Sequence, residues 1–152
     1  MALLLILPLT FLLALLAIRL FKKKFDYMLS GRIAMSVLLI FTGIGHFIYT
    51  EGMSLMIPDF IPYKKQWVYV TGVIEMLAAV GLLIPRLQFI TACLLIVFFI
   101  LILPANISAA LGNIDFRNAN NSGPGTEYLW FRIPLQMVFI LWIYWFGIRK
   151  KG

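Results

Sequence analysis

Residues 88–111 read QFITACLLIVFFILILPANISAAL, an apolar run without one charged side chain. A helix rises about 1.5 Å per residue, so a run of about 20 apolar residues crosses a hydrocarbon core of roughly 30 Å. On the N-terminal side, beyond a tight turn at Pro85-Arg86, a second such run extends from Trp67 to Ile84. Further out lie Ile33 to Thr50 and Leu3 to Leu20, and on the C-terminal side Leu129 to Ile148. The chain has 152 residues, enough for one domain, of which 62% are hydrophobic and 12% charged. A soluble domain carries about 25% charged residues, and so apolar a chain leaves too little polar surface to face water. The expectation is an all-α membrane protein with five spans.

The formal charge of +7 would suggest nucleic acid in a soluble protein, but here the basic residues cluster at the ends of apolar runs. They read as topology signals that also meet anionic head groups. With the N-terminus outside, Arg19, Lys22, Lys23, Lys24, Arg32, Arg86, Arg149, Lys150 and Lys151 fall inside, and Lys64, Lys65, Arg117 and Arg132 outside. No basic region precedes the first run, as a signal peptide requires, so a retained anchor is expected. This arrangement puts the N-terminus outside and the C-terminus in the cytoplasm. Tyr49, Tyr63, Trp67, Tyr69, Tyr128 and Trp130 mark the outer boundary; Tyr27, Trp142, Tyr144 and Trp145 mark the inner one. The organisation expected is an anchor and basic linker over 1–30, a membrane domain over 31–148 and a basic cytoplasmic tail over 149–152. Within the membrane domain, 51–66 reads as an interfacial segment and 112–128 as an outer polar loop rich in Asn, Gly and Ser.

The chemistry is bounded by what is scarce. Cys93 is the one cysteine, which excludes an internal disulfide, a CxxC pair and a thiolate metal site. A single histidine excludes bis-histidine haem ligation, and a His/Glu metal site would lack a third ligand, so no metal or resident cofactor is expected. Gly43-Ile44-Gly45 follows no strand and reads as a site of close helix packing rather than nucleotide binding.

Polar side chains inside spans are costly, and they ordinarily face a bundle interior with a partner. Depths from the helical rise put His46 and Asn106 about 6–8 Å, and Glu75 about 12 Å, below the outer ends of their spans. Arg132 lies near the outer end of the last span, and Gln136 one turn deeper. These five residues form an outward-facing candidate pocket with Glu75 as its central ionisable group. Pro104 releases the carbonyl of Ile100 and kinks its helix next to Asn106. Residues 51–65 are too apolar for a water-exposed loop and too short to span, and Pro58 and Pro62 forbid one continuous helix. This segment reads either as a cover over the pocket, through Met56, Pro58, Asp59 and Pro62, or as a loop that dips apolar side chains into lipid. The polar cluster itself reads either as a binding site or as hydrogen-bonded glue.

From the second span onward the sequence resembles the DoxX-like family of small membrane proteins. The likeness covers roughly residues 31–148. It rests on Phe41-Thr-Gly-Ile-Gly-His46-Phe47, on Met56-Ile-Pro58-Asp59-Phe-Ile-Pro62, and on Thr71-Gly72-Val-Ile-Glu75. Pro104-Ala-Asn106 and Trp130-Phe-Arg132-Ile-Pro134-Leu-Gln136 look like the variant common in Bacteroidetes-type bacteria. The resemblance implies a DoxX-like four-helix transmembrane bundle in a bacterial inner membrane, to which span one is an addition. It also implies that His46, Glu75 and Asn106 face the interior. Proteins similar to that family include a subunit of a thiosulfate:quinone oxidoreductase, members linked to redox homeostasis, and eukaryotic cargo receptors or assembly chaperones. The chain lacks the paired cysteines of dithiol chemistry. The expectation is therefore an accessory or binding protein for a lipophilic molecule or a membrane-protein partner. The alternative is a membrane subunit of a quinone-linked oxidoreductase, with quinone as its ligand and a redox partner supplying electrons. A small proton-coupled transporter, working as a homodimer, ranks lowest. The partners expected are lipid and protein, with no nucleic acid.

Overall fold

The computed structural model describes residues 2–149, with side chains from residue 5 onward. Six helices follow in order: α1 Ala2–Lys22, α2 Tyr27–Ile48, α3 Thr50–Met56, α4 Lys64–Leu83, α5 Gln88–Leu111 and α6 Glu127–Ile143. A π turn, Tyr144–Ile148, continues α6. Five of these helices, all but α3, are long and apolar enough to cross a membrane. Their outward surfaces are apolar, as a lipid solvent requires: Leu77 is 67% exposed, Leu94 63% and Leu101 70%. The protein is thus an all-helical, multi-pass membrane protein in class.

Local chemistry sets the helix ends. The Asp26 side chain accepts the backbone N–H of Leu29 at 3.1 Å and caps α2. Pro85 cannot continue α4, and the chain reverses as Leu87 and Gln88 donate to the carbonyl of Ile84. The last span starts at Glu127, two residues earlier than the apolar pattern suggests, and α4 starts at Lys64 rather than Trp67. Conversely, α2 stops at Ile48 rather than Thr50, because the chain turns at Tyr49 and begins α3.

The interior is built from residues spaced three and four apart. Ala34, Met35, Leu38 and Leu39 of α2 meet Ala79 and Leu82 of α4, with Leu95 and Phe99 of α5 and Leu135, Phe139 and Ile143 of α6. Ser36 donates to the carbonyl of Ala79 at 2.8 Å in the middle of this core. The first span is more than a tether. Leu7, Ala14 and Ile18 are buried, and Phe11 on the same face meets Trp142 edge-on at 5.4 Å and Phe146 at 5.6 Å. At that end of the bundle Trp142 donates to the carbonyl of Gly31 at 3.0 Å. Phe146 fills the space where a side chain at Gly31 would stand, with a Cβ there falling 2.2 Å from its ring. The basic residues from Arg19 to Lys24, with Arg32, Arg86 and Arg149, belong to this end, whereas Lys150, Lys151 and Gly152 of the tail lie outside the described residues.

At the opposite end, the segment expected over the mouth divides into α3 and an irregular stretch from 57 to 63. Ile57 is extended, as the residue before Pro58 must be. Gly52 of α3 abuts the loop between α5 and α6 so closely that a Cβ would fall 1.8 Å from the Phe116 carbonyl oxygen. Tyr49 packs edge-on against Phe116 at 5.8 Å. The polar loop is ordered by Asp115, whose carboxylate accepts the backbone N–H of Arg117 at 2.9 Å and the side-chain amide of Asn118 at 2.7 Å. Those donors hold the Asp115 carboxyl below the usual carboxylate range, the Arg117 N–H contributing most.

Candidate functional site

The site starts from two glycines. A Cβ on Gly43 would stand 3.1 Å from the Gly72 carbonyl oxygen, and one on Gly72 would stand 3.2 Å from the Gly43 oxygen. Both lie in helices, so the bare Cα atoms let α2 and α4 approach to backbone contact. His46 follows Gly43 by three residues and Glu75 follows Gly72 by three, so both project from the crossing. His46 Nε2 lies 3.5 Å from Glu75 Oε1.

The other ring nitrogen is fixed as well. His46 Nδ1 lies 3.1 Å from the carbonyl oxygen of Val68 and 3.0 Å from the hydroxyl of Thr71. The two contacts suit opposite tautomers: Nδ1–H would donate to the carbonyl, whereas a bare Nδ1 would accept from the Thr71 hydroxyl and leave the hydrogen on Nε2. In the second tautomer Nε2–H faces the Glu75 carboxyl. Glu75 is 4% exposed, and its second oxygen, Oε2, is buried without a hydrogen-bond partner among the described residues. A buried polar atom left in that state costs about 1–3 kcal/mol.

A second pair joins α5 and α6. Asn106 donates its amide to Gln136 Oε1 at 3.2 Å, and Gln136 donates onward to the carbonyl of Phe99. That carbonyl neighbours the one on Ile100 that Pro104 leaves without its helical donor. Gln136 therefore serves the backbone around the proline, as side chains of neighbouring spans do where a helix breaks inside a membrane. Asn106 and Gln136 are both buried. Arg132 is half-buried, makes no ion pair among the described residues, and has a buried Nε without a partner. The five polar candidates thus resolve into two pairs and one separate arginine. Among the residues proposed as a cover, Met56 and Pro58 are half-buried and Pro62 is exposed. Asp59 is exposed and binds Lys64 at 2.5 Å, and that partner's hydrogen bond and charge lower its carboxyl.

Sequence reasoning did not select Thr71 or the carbonyls of Val68 and Phe99, which orient His46 and Gln136. Thr71 carried a signal, standing one turn before Glu75 on the same helix. A backbone carbonyl carries none, since every residue has one. Among the described residues no group of three His, Cys, Asp or Glu side chains is placed to hold a metal ion.

Fold and site together define a polytopic helical membrane protein with a half-buried His46 beside a buried Glu75 at a glycine crossing. A family model described as a domain of unknown function, DUF8561, matches residues 35–147, and the chain belongs to that family. The matched region includes all five polar candidates and leaves out α1. No curated protein and no solved structure matches the chain.

Proposed function

We propose that this chain is a DoxX-like accessory or binding protein whose His46–Glu75 pair receives the polar group of a lipophilic molecule or of a partner's transmembrane segment. The observation that carries this reading is Glu75 Oε2, a buried carboxyl oxygen with no donor among the described residues. His46 Nε2 stands 3.5 Å from the other oxygen. An arriving hydroxyl or amide N–H would satisfy Oε2, and an apolar molecule lacking a donor would not. Discrimination follows from that difference, since a site left with an unpaired polar group rejects the analogue that lacks the donor.

A quinone-linked oxidoreductase subunit is the second reading, and the imidazole standing 3.5 Å from the Glu75 carboxyl favours it. Reducing a quinone by two electrons to the quinol consumes two protons, and an imidazole beside a carboxyl is a means of delivering one. The electrons would come from a redox partner. In both readings the chain sits in a bacterial inner membrane with its N-terminus outside, which puts the site nearer the outer face.

The test is mass spectrometry of molecules retained by gently purified protein, wild type beside Glu75→Gln. The expected result is a lipophile bearing a hydroxyl, an amide or a quinone, present in the wild type and lost in the variant. Bulk lipid alone in both would overturn the small-molecule reading. Partners co-purifying with the wild type and released by Glu75→Gln would instead support recognition of a transmembrane segment.

A further inference from the structure

Away from the His–Glu pair, α4 and α5 pack tightly where Gly81 meets Thr91, and a Cβ on Gly81 would lie 2.5 Å from the threonine hydroxyl oxygen. Beyond that contact the helices leave a groove of about 220 Å³, lined by Ile74, Leu77 and Ala78 of α4 and by Thr91, Leu94 and Phe98 of α5. Exposed Leu77 and Leu94 place its mouth on the lipid-facing surface. Burying an acyl chain here gains little by itself, because lipid tails are as apolar as the leucines. Any selectivity must come from polar groups; one lines the groove, and another stands in the turn that joins its two helices.

The first is Thr91. Hydroxyls elsewhere in the spans return their hydrogen to a backbone carbonyl: Thr10 to Ile6, Ser36 to Ala79, Thr42 to Leu38 and Thr71 to Val68. Among the described residues Thr91 makes no such bond, its only hydrogen bond outside the regular helix pattern being that of its backbone N–H. Ser108 also keeps a free hydroxyl, but it stands in the last turn of α5, beside the polar loop. Thr91 is half-buried and lines the groove, its hydroxyl oxygen beside Gly81. The second group is Arg86, exposed in the turn that joins the two helices. By the helical rise Thr91 is about 7 Å from the level of Arg86, and Ile74 and Phe98 are each about 18 Å from it. The order along the membrane normal is therefore cation, hydroxyl, apolar channel.

We propose that this groove binds one anionic diacyl phospholipid, with its phosphate at Arg86, an ester carbonyl accepting the Thr91 hydroxyl and one acyl chain lying between α4 and α5. A zwitterionic lipid of the same chains would fit the channel, but its own ammonium would offset the arginine.

The test is native mass spectrometry of the full chain, released from micelles containing equal amounts of phosphatidylglycerol and phosphatidylcholine with identical acyl chains. One retained lipid is expected, with phosphatidylglycerol favoured about fivefold, the factor equivalent to ~1 kcal/mol per basic residue near an anionic lipid surface. Arg86→Gln should bring that ratio close to one. Thr91→Val should reduce retention of both lipids and leave the lipid-free protein as stable as before. Arg149→Gln, at the same end but stacked on Trp145, should keep the preference. Equal retention of the two lipids by the wild type would overturn the proposal, as would a preference that survives both Arg86→Gln and Thr91→Val.

Discussion

His46 is engaged at both ring nitrogens, by Val68 and Thr71 on one side and by Glu75 on the other. Its ring is therefore oriented before any ligand arrives. The Glu75 contact is 3.5 Å, long for a hydrogen bond and within the range of an ion pair. Its worth is best measured by a double-mutant cycle of His46→Ala and Glu75→Ala, read by reversible unfolding in detergent. A coupling of about 1 kcal/mol is expected, within the range found for residues sharing a polar network. Effects that add to within about 0.3 kcal/mol would mean that the pair carries no energy of its own. Residue types and helical depth were enough to nominate His46, Glu75, Asn106, Arg132 and Gln136 from sequence. Depth arithmetic gives height along a span but not rotation about its axis. For that reason it could not separate the His46–Glu75 pair from the Asn106–Gln136 pair, nor set Arg132 apart from both.

Between elements, the decisive feature is how closely two helices approach. The Gly43-Ile44-Gly45 stretch announces close packing in sequence, yet only one of its glycines delivers it. Gly43 meets Gly72 of α4, whereas a Cβ on Gly45 would find only the Met53 Cε, at 4.0 Å. This difference makes a paired prediction. Gly72→Ala would place a methyl 2.8 Å from the His46 Cβ and 3.2 Å from the Gly43 oxygen, so the helices must separate. Overpacking of this kind costs about 1–3 kcal/mol. Gly45→Ala adds a methyl to open space inside a helix and should stabilise by about 0.5–1 kcal/mol. Thermal melts followed by circular dichroism distinguish the two, and a Gly72→Ala protein as stable as Gly45→Ala would contradict the glycine crossing. The segment after α2 shows the opposite limit of legibility. Pro58 and Pro62 excluded a continuous helix, but they act only on their own neighbourhood, so nothing in the pattern foretold that 50–56 would form the separate helix α3.

For the whole molecule, the five spans were legible because hydrocarbon imposes one rule along the chain: long apolar runs with their charges at the ends. The packing role of α1 was not, since its apolar residues surround the helix and hide the face carrying Leu7, Phe11, Ala14 and Ile18. Orientation rests on charge. Among the described residues, the end that carries Arg19 to Lys24, Arg32, Arg86 and Arg149 holds seven basic residues, and the end that carries the polar loop holds four. The proposal, from the positive-inside rule, is that the first end faces the cytoplasm. Single cysteines at Ser122 and at Lys23, in a chain whose Cys93 is replaced by alanine, would report the two ends separately. Ser122 is exposed in the loop and Lys23 is exposed just beyond α1. In intact cells with a permeable outer envelope, a membrane-impermeant maleimide should label Ser122→Cys at once, and Lys23→Cys only after the membrane is opened. The reverse pattern would invert the protein, place the His46–Glu75 pair in the cytoplasmic half of the bilayer, and turn the search for its ligand toward molecules supplied from that side.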